Sequence, residues 1–290
     1  MGRIWQELQR RIGRREEQGM DYRKEFRVDP HSKIKLSKLD PAYKGKHESP
    51  DEAKQEIEGY LQKLFRQQAL LYAEHKHSIL VVLQALDAGG KDGTIKHVFT
   101  ALNPQGTTVA SFKQPTATEL AHDFLWRVHP HAPGKGEIVI FNRSHYEDVL
   151  ITRVHKLIDK DVWTERYERI LDFETLLAEN GTTIIKLFLH ISKEEQLTRF
   201  AQRLDDPNRN WKISESDYSE RALWDDYIAA FEDAIEATST KHAPWYVIPS
   251  NHKWFRNLAV SKIIVEALEN MGPKYPTPEV DIERMKRLLK

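Results

Sequence analysis

"SILVVLQALDAGGKDGT", Ser78–Thr94, is the stretch that decides the fold of this chain. It opens with a short, largely apolar run rich in branched side chains, consistent with a strand buried on both faces as in a parallel sheet. A glycine cluster and a helical segment follow. Strand, glycine-rich turn and helix is the context of a phosphate-binding loop, whose usual pattern is G-x-x-x-x-G-K-[ST]. Here Ala85 replaces the first glycine, Asp92 replaces the hydroxyl residue, and Asp87 adds an acid. Within Ala88-Gly89-Gly90-Lys91-Asp92-Gly93-Thr94, the glycines let the backbone approach an anion, and the following helix turns its free N–H groups and positive dipole end toward it. Lys91 adds a charge where a transferring phosphoryl group needs it. Asp87 would be repulsive there unless a metal ion sat beside it, so the acid predicts the metal. Asp92 reads either as a metal ligand through water or as a cap on the helix start.

Outward from this stretch the pattern alternates. Strands are predicted at Thr107–Phe112, Glu137–Asn142, Thr183–Ile191 and Pro244–Ser250. Helical segments lie between them: the one after Gly90, "TATELAHDFLWRVH" opened by a Thr116/Glu119 capping box, "SHYEDVLITRVHKLI", "TERYERILDFETLLAEN", and "SKEEQLTRFAQRL" opened by Ser192 and Glu195. Five buried strands alternating with helices predict a three-layer parallel α/β domain with its ligands at the carboxyl ends of the strands. A helix from Ser49 precedes it, with Pro50 in first position, a capping box through Glu52, and an apolar face of Ile57, Leu61, Leu64 and Leu71. The expected organisation is an extended polar arm over 1–48, the domain over 49–272, and a tail over 273–290.

Composition excludes several classes. Lys plus Arg and Asp plus Glu stand at 44 each, without the basic excess of a nucleic-acid-binding protein. The absence of cysteine excludes disulfides, thiolate metal sites and a cysteine nucleophile. No apolar run approaches the ~20 residues of a membrane span, and "MGRIWQELQRRIGRREEQG" lacks the apolar region of a signal peptide, so a soluble cytoplasmic protein is expected. The 13 histidines form no metal-binding spacing such as H-E-x-x-H.

Further candidates cluster at strand ends. In "IVIFNRSHYEDV", Asn142 occupies the place of the metal-binding Asp of the second phosphate-loop motif, and Arg143 can bind phosphoryl oxygens bidentately. Glu147 and Asp148 also suit a helix start by dipole alone. Lys113, after the second strand, and Arg127, in "FLWRVHP", are placed to reach an acceptor phosphate. "RLDDPNRNWKISESD", Arg203–Asp217, has the composition of a mobile lid between two helices and carries Arg203, Arg209 and Lys212.

The combination "DAGGKDGTIK", "FKQPT…E…DFLWR", "FNRSHYEDV" and "RLDDPNRNWKISESDYSERALWDDY" closely resembles the family-2 polyphosphate kinases, from about Leu36 through the last helix. The resemblance implies a thymidylate-kinase-like P-loop kinase fold with a helical lid, Mg²⁺ dependence, and transfer of the terminal phosphoryl group of inorganic polyphosphate to a nucleotide such as AMP or ADP, guanine nucleotides included. It implies that Asp87, Lys91 and Arg143 carry the catalysis, with Asp87 holding Mg²⁺ and orienting the acceptor. Arg199, Arg203, Arg209 and Lys212 are implied to line the polyphosphate path, and the assembly to be a homo-oligomer. The family's second motif reads F-D-R-S-W-Y-N, whereas this chain has Asn142, His145 and Glu147 at the variable places. Glu147 there looks like the class III members, which use both AMP and ADP. Residue chemistry alone leaves open an ATP-dependent nucleotide kinase of the same fold and a non-catalytic polyphosphate- or nucleotide-binding module.

Overall fold

The computed structural model describes residues 21–100 and 102–289; the Arg-rich start lies outside them. The five expected strands form: β2 (Ser78–Gln84), β3 (Thr107–Ser111), β4 (Ile138–Asn142), β5 (Thr182–His190) and β6 (Trp245–Pro249). They pair in parallel, and β1 (Arg27–Val28) joins antiparallel, giving the order β1-β6-β5-β2-β4-β3. β2 lies between β5 and β4; the chain crosses from β2 to β3 on one side and later from β4 back over β2 to β5 on the other, so the carboxyl end of β2 opens into the crevice where such sheets bind ligands.

Alternation along the central strands divides the core into two layers. Leu80, Val82, Ile184 and Phe188 face α6 (Lys160–Glu179) and α9 (Trp224–Thr238), whose Ile170, Phe173, Phe231 and Ile235 are buried against them. Ile79, Val81, Leu83, Leu187 and Leu189 face α2 (Pro50–Glu74) and α10 (Lys253–Met271). Ser49 caps α2 as expected, but the Glu52 carboxylate accepts from Glu48 N rather than from the cap residue's own N–H. The apolar face of α2 buries Ala53, Leu64 and Leu71, with Ile57 half-buried.

Two expected helices are shorter than their patterns. The Thr116/Glu119 capping box is present, but α4 covers only Ala117–Leu120. The Asp123 carboxylate accepts from Leu125 N, a local turn that competes with the helical ladder, and Pro130 follows in a 3₁₀ turn. "SHYEDVLITRVHKLI" becomes a 3₁₀ turn (His145–Asp148) and the single-turn α5 (Ile151–Val154), ended by Lys156 at φ 53°. α3 (Lys91–Thr94) widens into a π-turn over Ile95–Phe99.

The described part of the arm is held to the sheet. β1 lies along β6, Tyr22 and Phe26 pack against Phe255, and Ile34 and Leu36 donate backbone N–H bonds to Glu236 and Glu232 of α9. At the other end, α11 (Ile282–Leu288), in the tail, buries no residue.

Candidate active site

The loop after β2 is built for close approach. Gly90 sits at φ 108° and Ala88 at φ 59°. A Cβ on Gly89 would lie 2.4 Å from that of Ala85 and one on Gly90 2.0 Å from Arg256 Nη1, so both positions exclude a side chain. Lys91 Nζ folds back to donate to the Ala85 carbonyl at 2.9 Å. Burial, then the neighbouring Arg143 charge, pushes the Lys91 ammonium down to about 8 against the pull of Asp87, Glu147 and Asp92. A bound polyanion would reverse that balance.

Arg143 leaves the end of β4 at φ 63°, a left-handed conformation unfavourable for a side chain of its size, and its guanidinium bridges two acids. Nη2 donates to Asp87 Oδ1 at 3.1 Å and Nη1 to Glu147 Oε2 at 3.3 Å. Glu147, and then Asp87, outweigh burial and hold this guanidinium above its ordinary range. Asn142, one residue earlier, donates to Asp92 Oδ1 at 3.1 Å, and Lys212 approaches Asp92 Oδ2 at 3.5 Å. Against the upward pull of burial, the Asn142 bond and the Lys212 and Lys91 charges keep Asp92 below the usual carboxylate range. Asp92 is thereby tied to the second motif and to the lid.

The strained turn is anchored from below. Gln84, at the end of β2, donates to Ser144 Oγ. The wholly buried Tyr146 OH meets Glu174 Oε1 at 2.8 Å, and the buried Lys186 of β5 donates to Glu174 Oε2 at 2.6 Å, Thr238 O at 2.7 Å and the Tyr146 hydroxyl at 3.0 Å. Burial pulls the Lys186 ammonium down while the same pair holds Glu174 below its usual range; with three acceptors around it, the charged pair is the state these contacts describe. Burial lowers the His145 imidazole against the upward pull of Glu174.

The other expected residues fall around this centre. Arg127 is buried, donates to Lys113 O at 2.8 Å and lies 3.7 Å from Asp148, which Arg166 approaches from the other side at 3.5 Å. Burial raises Asp148 to about 6 despite both arginines. The Lys113 side chain itself is exposed. Arg199, on α7 (Lys193–Asp205), is buried beneath the loop, with its donors on Ala88 O, Asn251 O, Ser250 O and Glu195. In the lid, Arg203 bonds Lys212 O, Arg209 pairs with Asp206, and Trp211 is 77% exposed. Lys212 is thus the lid base that reaches the loop.

Sequence reasoning missed the wall opposite Arg143. Gln196, whose Nε2 donates to Asp87 O at 2.9 Å, and Glu220, Trp224 and Tyr227 line one cleft with Asp87, Arg143 and Glu147. Burial, then the hydrogen bond to Glu220, raises the Tyr227 phenol. The aromatic spacing of "RALWDDY" was the available signal. Also missed was Arg256, in the first turn of α10 beside the loop glycines.

The donors available for a cation are hard oxygens. Among the described residues no group of three or more His, Cys, Asp or Glu could hold a metal ion by itself. The carboxylates of Asp87 and Glu147 face the same cleft, and Mg²⁺ takes one or two such protein carboxylates together with substrate phosphates.

Comparison with known proteins bears on this arrangement. The family model for Polyphosphate kinase 2 (PPK2) matches residues 45–276. The chain is 53% identical over 266 residues to the AMP/ADP-polyphosphate phosphotransferase of Meiothermus ruber, covering 90% of this chain and 98% of that one. It is 44% identical to the ADP-polyphosphate phosphotransferase of Rhodopseudomonas palustris, over 92% and 96% of the two chains. A GDP-polyphosphate phosphotransferase of Mycolicibacterium smegmatis matches at 38% identity over 62% of this chain and 63% of its own. The crystal structure of Polyphosphate Kinase 2 from Arthrobacter aurescens TC1 superposes with a TM-score of 0.90 at 40% identity, covering 93% of this chain and 97% of that one.

Proposed function

Because the chain belongs to the polyphosphate kinase 2 family, we propose that it transfers the terminal phosphoryl group of inorganic polyphosphate to ADP and AMP, forming ATP and ADP. The observation that carries this reading is the meeting of Asp87, Arg143 and Glu147 over a glycine loop whose lysine has no carboxylate in ion-pair contact among the described residues.

The acceptor's phosphate is already an anion at neutral pH. One of its oxygens attacks the terminal phosphorus of polyphosphate; the bond to the bridging oxygen breaks, and the chain leaves one unit shorter, with no proton to move. The obstacle is the approach of two polyanions, so positioning and neutralisation dominate. Lys91 exchanges the Ala85 carbonyl for phosphate oxygens. Arg143 turns its fork from the two carboxylates toward the transferring group. Asp87 and Glu147, released from Arg143, are the residues that would hold Mg²⁺. When bound, the ion supplies the charge neutralisation that two facing carboxylates beside two polyanions require. The cleft lined by Trp224 and Tyr227 receives the acceptor nucleoside, and Lys113 and Arg127 assist its phosphates.

Use of both AMP and ADP belongs to Glu147, which stands where most of the family has Asn. Use of guanine nucleotides, a cytoplasmic location and homo-oligomeric assembly belong to the same proposal; the Mycolicibacterium smegmatis relative's name supports the first of these. Among the described residues no helix is long and apolar enough to cross a membrane. The deciding experiment supplies ADP or AMP and Mg²⁺ with either long-chain polyphosphate or a nucleoside triphosphate as donor. ATP formed from ADP only when polyphosphate is present is the expected result. Transfer from the triphosphate alone would replace the donor, and no transfer from either would remove the enzymatic reading.

A further inference from the structure

Arg256 has no role in the site as described, yet its surroundings ask for one. The residue is 2% exposed. Among the described residues no carboxylate pairs with it, and its guanidinium donates to the amide oxygen of Asn257, from Nε at 3.2 Å and from Nη2 at 2.8 Å. Nη1 has no acceptor among the described residues and lies against the loop, where a Cβ at Gly90 would be 2.0 Å away and one at Gly93 3.7 Å. The guanidinium also stands beside that of Arg199, each of whose three nitrogens already donates a hydrogen bond. A guanidinium does not shed its proton, so this remains a buried, uncompensated positive charge. Removing a charge from water without a partner is costly, and a fold keeps such a group where an incoming anion completes it.

The cation is not isolated. Lys253, one turn earlier on α10, reaches across to Gln202 of α7. Burial, then the charge of Arg199, holds the Lys253 ammonium below its ordinary range, with Arg209 and Arg256 adding to the effect. These bases lie between α7, the lid and the start of α10. The acceptor cleft is lined by other residues, and neither Arg256 nor Lys253 contributes to it. A ligand following them meets positive charge over several residues, which fits a linear polyanion rather than a nucleoside.

We propose that the polyphosphate donor runs from the loop along Arg256 and Lys253 toward Arg209, with Arg256 Nη1 a direct ligand of a phosphate held by the loop and Lys253 a ligand further along the chain. The proposal rests on the donor assignment above and adds Arg256 and Lys253 to the donor contacts that the family resemblance implies for Arg199, Arg203, Arg209 and Lys212.

The test combines kinetics with binding. In Arg256→Met, the KM for long-chain polyphosphate should rise about 10- to 100-fold, the loss expected for a charged hydrogen bond, while the KM for ADP changes by less than about twofold. Lys253→Gln should raise the KM for long chains more than for tripolyphosphate. Without ligand, Arg256→Met should melt no lower than wild type, because an uncompensated charge has gone; the rise in Tm given to wild type by long-chain polyphosphate should shrink. Arg256→Lys should recover part of that rise. If the ligand-free variant is instead destabilised, or the polyphosphate KM and Tm shift stay at wild-type values, Arg256 is a brace for the loop and the path is wrong. Wild-type protein that is stabilised by polyphosphate yet forms no ATP would remove the functional reading, while the Tm comparison would still decide Arg256.

Discussion

Lys91 offers the sharpest test of the electrostatics. Its drop from the ordinary 10.5 to about 8 means that carrying the charge costs the free protein about 3 kcal/mol. The sign follows from linkage: between about pH 8 and 10.5 the unfolded chain holds this proton and the folded one does not, so stability rises with pH through that window. Polyphosphate supplies the missing counter-charge and binds the protonated form. Initial rates of ATP formation, with subsaturating long-chain polyphosphate and saturating ADP, should therefore give a kcat/KM that is level to near pH 8 and then falls about tenfold per pH unit, while kcat falls only at higher pH. Lys91→Arg stays protonated throughout, so whatever rate it retains should lack the break. A wild-type profile level from pH 7 to 9.5, or a break that survives in Lys91→Arg, would refute the reasoning.

Asp87→Asn should lower turnover by several powers of ten with little change in Tm, and near-normal rates with polyphosphate would dismiss its assigned role. Glu147→Asn should weaken AMP use more than ADP use, checked by comparing kcat/KM for the two acceptors; equal losses would leave the residue merely a partner of Arg143. Breaking the buried pair with Lys186→Met should cost about 3–5 kcal/mol in urea unfolding by stranding Glu174, and Lys186→Met with Glu174→Leu should recover much of it. Additive losses in the double variant would mean that the two groups do not stabilise one another.

Four of the parallel strands were legible because strands covered on both faces read as unbroken apolar runs, and β2, β4, β5 and β6 are buried along nearly their whole length, whereas β3, at the sheet edge, buries only Ala110. β1 was not, since two residues carry no period and its pairing comes from β6, more than two hundred positions away. Helix patterns at "TATELAHDFLWRVH" overran because one aspartate side chain turned the backbone aside. The loop and Arg143 announced themselves by position at strand ends. Asp92 did not, because its partners are 50 and 120 residues distant. Arg256 looked like any arginine in a helix's first turn, and only packing shows that it is buried without an acid. Lys186, a charge inside "TIIKLFLHI", was the visible sign of the network under the Arg143 turn.

The pairing of β1 with β6 bears on how this protein can be trimmed. A fragment cut to the family-matched residues 45–276 would lose β1 and, with it, the buried side chains of Tyr22, Phe26, Val28, Ile34 and Leu36. β6 would then become an open border, offering the free backbone groups of Trp245–Pro249 to any passing strand. Such a fragment could keep every residue proposed to touch phosphate and still be lost to aggregation, because the segment that seals the sheet holds none of those residues.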